Sequence, residues 1–516
     1  MKIAVRVDAS CKIGLGHIVR CLSLAEELRS LGAKVLFVAR SLDVDMGRIV
    51  SAQKFPICIL PAAEAESGSS PTGRIRGEEN DRRWQIDADE TVDVLASFGP
   101  DWIIVDHYSL DDRWHSSVAR RMKAQIAAID DLADRNLNVD VLVDHNICVN
   151  HRERYAGFVA DRTRVLGGPR FALLGTAFRG SVAYRFNDSV RSIGIFMGGT
   201  DADDFSSVAV RACREIAGFK GSIEVATTRY NPNLLNLRRM AMIWPLTRII
   251  EDLPDLADFF SRHDMQVGAG GGATWERAAV GAPSLLLIAA ENQRESVYAL
   301  AALGAVGSLE KNRQCSVSNV GEAIGRLIAN SAFRRKLSDS SKILVDGFGT
   351  RRVALCLLKD KVRVRSAEYR DADMILGWRN HSSVRSVSRE SMRIDAKAHA
   401  RWMKTVLADT GRQLLIGHVA GVDVGVIRFD ALSAQCMEVS LYLDPNFQGL
   451  GLGPAMLRAG EAHVSSSGPA RLQLVATVLE GNAPSRRLFE SNDYSYVNGR
   501  WEKTLNSSAE NQGGSC

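Results

Sequence analysis

"MKIAVRVDASCKIGLGHIVRCLSLAEELRSLGAKVLFVAR", residues 1–40, decides the fold class. "KIAVRVD" is a short apolar run rich in β-branched residues, as a buried strand requires. After two glycines, Ile18, Cys21, Leu22, Leu24, Ala25 and Leu28 recur at helical spacing. Gly32 stands where a C-terminal cap glycine belongs, and "AKVLFVAR" is a second apolar strand. Strand, helix and strand in this order make a βαβ unit with parallel strands buried on both faces. The predicted class is α/β.

The pattern continues outward. "PDWIIVDHY", "AQIAAIDD" and "VDVLVDHN" are strands that end in ionisable or polar residues. Open parallel sheets bind ligands beyond the carboxyl ends of their strands, so these groups fall where a cleft is expected. Near residue 165 the units restart with "SVRSIGIFMGGTDADD", followed by the strand candidates "GSIEVATT" and "AMIWPL". "HDMQVGAGGGATWERAAVGAPSLLLIAAENQ" reads as strand, glycine loop, helix, strand and polar loop. Two Rossmann-like lobes are therefore expected, 1–165 and 166–345, with a ligand between them. Residues 346–361, "DGFGTRRVALCLLKDK", read as a helix end and connector. From 362 the texture changes. "QLLIGHVAGVDVGVIRFD" is a hairpin turning at "AGVD", and later strands alternate with helices up to 505. The polar tail 506–516 reads as disordered.

The chain of 516 residues has room for two to four domains. It is 46% hydrophobic and 24% charged, ordinary for a soluble globular protein. With 65 basic against 60 acidic residues the net charge is +5, too even for a nucleic-acid partner. The most basic cluster, Arg351, Arg352, Lys359, Lys361, Arg363 and Arg365, reads as a solvated linker face. No apolar run reaches the roughly 18 residues of a membrane helix, and the N-terminus lacks the apolar region of a signal peptide. Nine scattered cysteines, an odd number without C-x-x-C, point to reduced thiols and not to disulfides or zinc. The expectation is a cytoplasmic protein without membrane insertion or metal, its oligomeric state open.

Gly14 and Gly16 let the backbone pass close to a ligand, and His17 follows at a helix start, where free N–H groups suit phosphate. A neutral imidazole there can take a proton from water; on spacing alone a packing or capping histidine fits as well. Gly268, Gly270, Gly271 and Gly272 form a second glycine loop before a helix that carries Glu276. Such a loop can cradle a diphosphate while the acid accepts hydrogen bonds from ribose hydroxyls. "GGT" at 198–200 and the amides of "AENQ" at 290–293 lie at neighbouring strand ends.

"RVDASCKIGLGHIVRCLSLAEEL", "DWIIVDHY", "IDDLADR", "MGGTDADD" and "GAGGGATWERAAVGAPSLLLIAAENQ" together resemble the UDP-2,4-diacetamido-2,4,6-trideoxy-β-L-altropyranose hydrolases of pseudaminic acid biosynthesis. The resemblance covers residues 1–345 and implies the GT-B fold of MurG-type glycosyltransferases. It implies hydrolysis of a UDP-activated amino sugar at the anomeric carbon, releasing UDP and the free sugar. By the same resemblance His17 is the proton acceptor. Gly14, Gly16, the helix start after Gly199 and Thr200, and the loop with Gly270 and Gly271 surround the diphosphate. Glu276 holds the ribose, and Tyr108, Asn292 and Gln293 reach the sugar. Asp8 and Asp106 either orient His17 or the water, or serve as strand-end caps.

"DPNFQGLGLGPAMLRAGEAHV" carries Gln448, Gly449, Gly451 and Gly453, and "GNAPSRRLFE" carries Asn482 and Ser485. Together they resemble the acetyl-CoA site of the GNAT N-acetyltransferases, in a domain spanning 362–505. The resemblance implies that the glycine loop wraps the pyrophosphate. It also implies that strand "MEVSLYL", with Leu441 and Leu443, splays from its neighbour to hold the pantetheine arm. Glu438 is a candidate base or a solvent-facing strand residue. Where the family often has an acid tyrosine this chain has Phe489, so Tyr494 or Tyr496 would have to substitute, or water. The implied whole is a bifunctional enzyme that N-acetylates a UDP-4-amino sugar and hydrolyses the product, in the synthesis of sugars for flagellin or surface glycans. The alternatives are a GT-B glycosyltransferase and a non-catalytic acyl-CoA-binding module.

Overall fold

In the computed structural model the described residues are 1–11, 13–62, 78–180, 184–311 and 313–506. The tail read as disordered lies, from residue 507, outside them. The chain divides into two units, Met1–Val353 and Ala354–Cys516.

The first sheet of unit 1 contains β1 (Lys2–Val7), β2 (Lys34–Arg40), β3 (Ile57–Leu60), β4 (Trp102–Asp106), β5 (Gln125–Ile129), β6 (Val141–Asp144) and β7 (Arg164–Gly167). All pairs are parallel, in the order β3-β2-β1-β4-β5-β6-β7. The helix Gly16–Ser30 buries Ile18, Cys21, Leu24, Ala25 and Leu28, and Gly32 follows it at φ +82°. The chain reverses its direction of sheet growth between β1 and β4, which places a crevice beyond their carboxyl ends.

The second sheet repeats the plan with β8 (Ser192–Phe196), β9 (Ser222–Thr227), β10 (Thr247–Glu251), β11 (Met265–Ala269), β12 (Ser284–Leu287) and β13 (Gly307–Ser308). Its order is β10-β9-β8-β11-β12-β13, again all parallel. Its switch point lies between β8 and β11, whose ends carry the glycines 198–199 and 270–272. One expected strand is corrected. In "AMIWPL" the first three residues close the helix Leu234–Ile243, and the strand comes afterwards, as β10. Met242 and Ile243 are 80% and 67% exposed, so this apolar run never enters a sheet.

The basic cluster is corrected as well. Residues Gly349–Leu357 form a helix. Arg351 Nε donates to the buried Glu27 at 2.8 Å, and Arg352, 3% exposed, bonds Asp346 and the Arg170 carbonyl. Arg365 is held by Asp371 and Asp423. Three of the six cations are thus fixed by specific partners, and one of them, Arg352, is buried, so the cluster is not simply a solvated linker surface.

Unit 2 is built on one sheet of β14 (Arg363–Ser366), β15 (Arg412–Val419), β16 (Val422–Ser433), β17 (Cys436–Leu443), β18 (Arg471–Ala476), β19 (Ser495–Val497) and β20 (Arg500–Asn506). The order is β14-β15-β16-β17-β18-β20-β19. The β15–β16 hairpin turns at Ala420 and Gly421, both at positive φ, the conformation of a tight two-residue turn. Every pair is antiparallel except β17 with β18. No described helix is long and apolar enough to cross a membrane.

Candidate functional site

The two switch points of unit 1 open into one cleft of about 1010 Å³. Gly14, Gly16, His17, Tyr108, Gly199, Thr200, Gly270, Gly271, Glu276, Asn292 and Gln293 all line it. The glycine loops of the two lobes meet there: a Cβ on Gly199 would stand 2.8 Å from Leu15 Cδ1, so a side chain at 199 would displace the Leu15 side chain of the first loop.

His17 is 8% exposed, and its Nδ1 lies 2.6 Å from Asp106 Oδ1. A carboxylate only accepts, so Nδ1 carries the hydrogen, and in the neutral ring the lone pair is then on Nε2. Asp106, the last residue of β4, also accepts Nε and Nη2 of Arg20, each at 2.6 Å. Burial alone would raise the Asp106 carboxyl. Arg20 and His17 outweigh it and hold the group well below the usual carboxylate range. The Tyr108 ring meets the imidazole edge-on at 4.7 Å, and its hydroxyl donates to Asp131 at 2.8 Å. His17 is thus fixed in tautomer and direction, as a proton acceptor needs to be.

Asp8 takes no part in this. It does not line the cleft. Its carboxylate accepts Arg6 and the Arg40 backbone N–H and lies 3.1 Å from His107 Nε2, a charged knot beneath the ends of β1 and β2. Of the two aspartates read together from the sequence, only Asp106 touches His17.

On the opposite wall, the helix Ala273–Val280 begins without a side-chain cap. Among the described residues the backbone N–H groups of Gly271, Gly272 and Ala273 donate to nothing, which leaves three amides for an anion. Gly270 is required sterically, since a Cβ there would lie 2.3 Å from Val297 Cγ2. Glu276 lines the cleft without a hydrogen-bond partner among the described residues. Burial pushes its carboxyl up to about 7, against the pull of Arg277. Gln293 Oε1 accepts the Ala289 N–H, which braces the loop, while Asn292 is exposed at the rim. The helix start after Gly199 and Thr200 is different. Asp201 already accepts the N–H groups of Phe205 and Ser206, so those donors are not open to a diphosphate.

One cleft residue, Arg20, escaped the sequence reading, while His145 was read there only as part of the polar end of its strand, with no role of its own. Arg20 lies one turn after His17, on the same helix face, and that spacing was a usable signal. His145 is 4% exposed, its Nδ1 has no partner, and its ring meets Trp275 of the second lobe edge-on at 6.2 Å. Burial, with Arg20 adding to it, pushes the imidazole down to about 4, so it is neutral at physiological pH.

In unit 2, β17 pairs with β18 only through Cys436, Met437 and Glu438. Beyond Glu438 the strands part, and Leu441 and Leu443 lie on the free stretch. Gln448 precedes Gly449 and Gly451, both at positive φ, and Gly451 opens the helix Leu452–Ser467 without a side-chain cap. Gly453 packs toward Leu488. Asn482 caps the helix Ala483–Glu490 by accepting the Ser485 N–H at 3.1 Å. Glu438 stands at the fork, bonded by Arg389 at 2.5 Å and by the Thr477 hydroxyl at 3.0 Å. Tyr494 is set apart from the acid role. It is 4% exposed, packs edge-on to Phe489, and its hydroxyl donates to Glu461, which Lys503 also holds.

Residues 361–495 match the family model described as Acetyltransferase (GNAT) domain, so unit 2 carries a GNAT domain. The spore coat polysaccharide biosynthesis protein SpsG of Bacillus subtilis (strain 168) is 20% identical over 359 residues, covering 69% of this chain and 98% of that protein. The acetyltransferase PseH of Campylobacter jejuni subsp. jejuni serotype O:23/36 (strain 81-176) is 28% identical over 94 residues, 18% of this chain and 57% of that protein. Among solved structures, Acinetobacter baumannii MurG superposes with a TM-score of 0.47 at 13% identity, over 70% of this chain and 100% of that one. The chain thus joins two parallel-sheet lobes to a GNAT domain.

Proposed function

We propose that the chain is a bifunctional sugar-nucleotide enzyme. Unit 1 hydrolyses a UDP-activated 2,4-diacetamido-2,4,6-trideoxy sugar, and unit 2 acetylates the 4-amino group of its precursor with acetyl-CoA, within pseudaminic acid synthesis. One observation carries the hydrolytic half: His17, oriented by Asp106, shares a cleft with three unpartnered amides and a partnerless carboxylate. The similarity to a polysaccharide biosynthesis protein and to an acetyltransferase supports the pairing.

In unit 1 the His17 Nε2 lone pair removes a proton from water as the oxygen attacks the anomeric carbon. The bond from that carbon to the β-phosphate oxygen breaks, and its electron pair leaves with UDP. The amides of Gly271, Gly272 and Ala273 hold the developing charge. Asp106 and Arg20 keep the imidazole aligned, Glu276 accepts the ribose hydroxyls, and Tyr108 and Asn292 meet the sugar. In unit 2 the glycine loop from Gln448 to Gly453 takes the cofactor pyrophosphate, and the free stretch of β17 takes its arm. The amine nitrogen attacks the thioester carbonyl. Its proton passes through water to Glu438, and the departing thiolate is protonated by solvent, since Tyr494 is committed to Glu461.

The test is mass spectrometry of products from a UDP-4-amino-4,6-dideoxy sugar with and without acetyl-CoA. The reading expects acetylation followed by release of UDP with water as sole acceptor, and no UDP release from folded His17→Ala. UDP release that requires a second sugar or lipid as acceptor would make unit 1 a glycosyltransferase instead.

A further inference from the structure

Behind the second glycine loop lies a buried charge with no contacting ion pair among the described residues. Arg277 is 1% exposed. Its Nη2 donates to the Ala269 carbonyl at 2.6 Å and more weakly to Thr274 Oγ1 at 3.4 Å. Among the described residues Nε and Nη1 donate to nothing. Among the described residues no carboxylate comes within ion-pair distance. Glu276 acts on it only through space, and the Phe260 ring lies 5.5 Å from the guanidinium carbon. Burial pushes the group down to about 10, which still leaves it a cation at neutral pH.

Its position is specific. A Cβ on Gly268 would lie 2.4 Å from Arg277 Nη1, so the guanidinium fills the space that a side chain on β11 would take. It therefore presses against the backbone of residues 268–269, while the amides of Gly271, Gly272 and Ala273 open toward the cleft just beyond. A buried cation is costly unless something of opposite sign pairs with it. Here the described residues supply hydrogen-bond acceptors but no paired anion, and the neighbouring open groups are N–H donors suited to an anion.

We propose that Arg277 is a positioning residue for the diphosphate of a bound nucleoside diphosphate, its charge balanced only when that anion occupies the loop. The inference deepens the nucleotide-sugar reading and rests on it. A cation behind the amides strengthens the field at the phosphates without touching them; it also favours the ionised form of the neighbouring Glu276, so the comparison is made well above pH 7, where that carboxyl is ionised with or without Arg277 and the remaining effect falls on the anion.

Calorimetric titration of the full chain with UDP and with uridine tests this. Arg277→Gln keeps a donor for the Ala269 carbonyl and drops the charge; Arg277→Lys keeps the charge. Arg277→Gln should lose about tenfold or more in UDP affinity with uridine affinity within about twofold, and Arg277→Lys should stay within about threefold for both. Equal weakening of UDP and uridine in Arg277→Gln, or no change for UDP, overturns the proposal. A native chain that binds no UDP overturns the nucleotide reading and this inference together; equal UDP binding by native chain and Arg277→Gln removes only the role of Arg277. Should Arg277→Gln fail to fold, the Nε–H resonance of Arg277 in the native chain decides. UDP, unlike uridine, should shift it, and an unmoved resonance overturns the assignment.

Discussion

At the scale of the residue, the cleft holds groups whose surroundings push their titration apart. Asp106 is held ionised by Arg20 and His17, while burial lifts Glu276 to about 7. If Glu276 accepts two ribose hydroxyls, ionisation frees both of its oxygens to do so, so UDP affinity should fall as pH drops through 7. Titrations at pH 6 and pH 8 measure this, and Glu276→Gln should abolish the slope. Asp106→Asn should leave the fold intact and cut UDP release by about a hundredfold or more, because an amide can donate to Nδ1 and favour the wrong tautomer; steady-state release by the folded variant checks it. His17 and Glu276 were legible because glycine punctuation marks strand-to-helix turns. His145 was legible only as a polar strand end, because its ring contact comes from the second lobe, and Arg277 was not legible, being defined by an ion pair it lacks among the described residues.

At the scale of the element, continuous apolar runs identified the parallel strands, since burial on both faces removes alternation. The same rule misled at residues 241–246, where apolar residues face outward from a helix end. A second limit is the polar residue buried without a partner. His115, in the helix Asp112–Met122, is 1% exposed with both ring nitrogens unbonded among the described residues, and burial pushes it down to about 3. The folded value is depressed, so below about pH 6.5 the unfolded chain takes up a proton that the folded chain refuses. Stability is therefore lost as pH falls from about 6.5 toward 3. His115→Phe removes that loss, and its advantage over the parent should be about 2 kcal/mol larger at pH 5 than at pH 8. Urea unfolding of the unit 1 transition at both values measures it.

At the scale of the whole molecule, the order of units was legible because each lobe repeats the same strand–helix rhythm and the glycine motifs mark the switch points. The end of unit 1 was less so. Residues 349–352 belong structurally to it: Thr350 Oγ1 donates to the Leu174 carbonyl at 2.6 Å, Arg351 reaches Glu27, and Arg352 reaches the Arg170 carbonyl. Single-chain composition does not show such distant partners. A fragment 1–345 should melt at least about 4 °C below a fragment 1–358 in scanning calorimetry, since it strips two buried anchors and one half-buried ion pair from the lobes. The fork between β17 and β18 has a further consequence for the full chain. A sheet interrupted at its centre is an unfinished one, with main-chain groups along residues 439–443 facing an empty lane. Whatever slides into that lane becomes, in effect, an extra strand, so amide exchange along this stretch should slow sharply on adding acetyl-CoA while the outer strand β14 is indifferent.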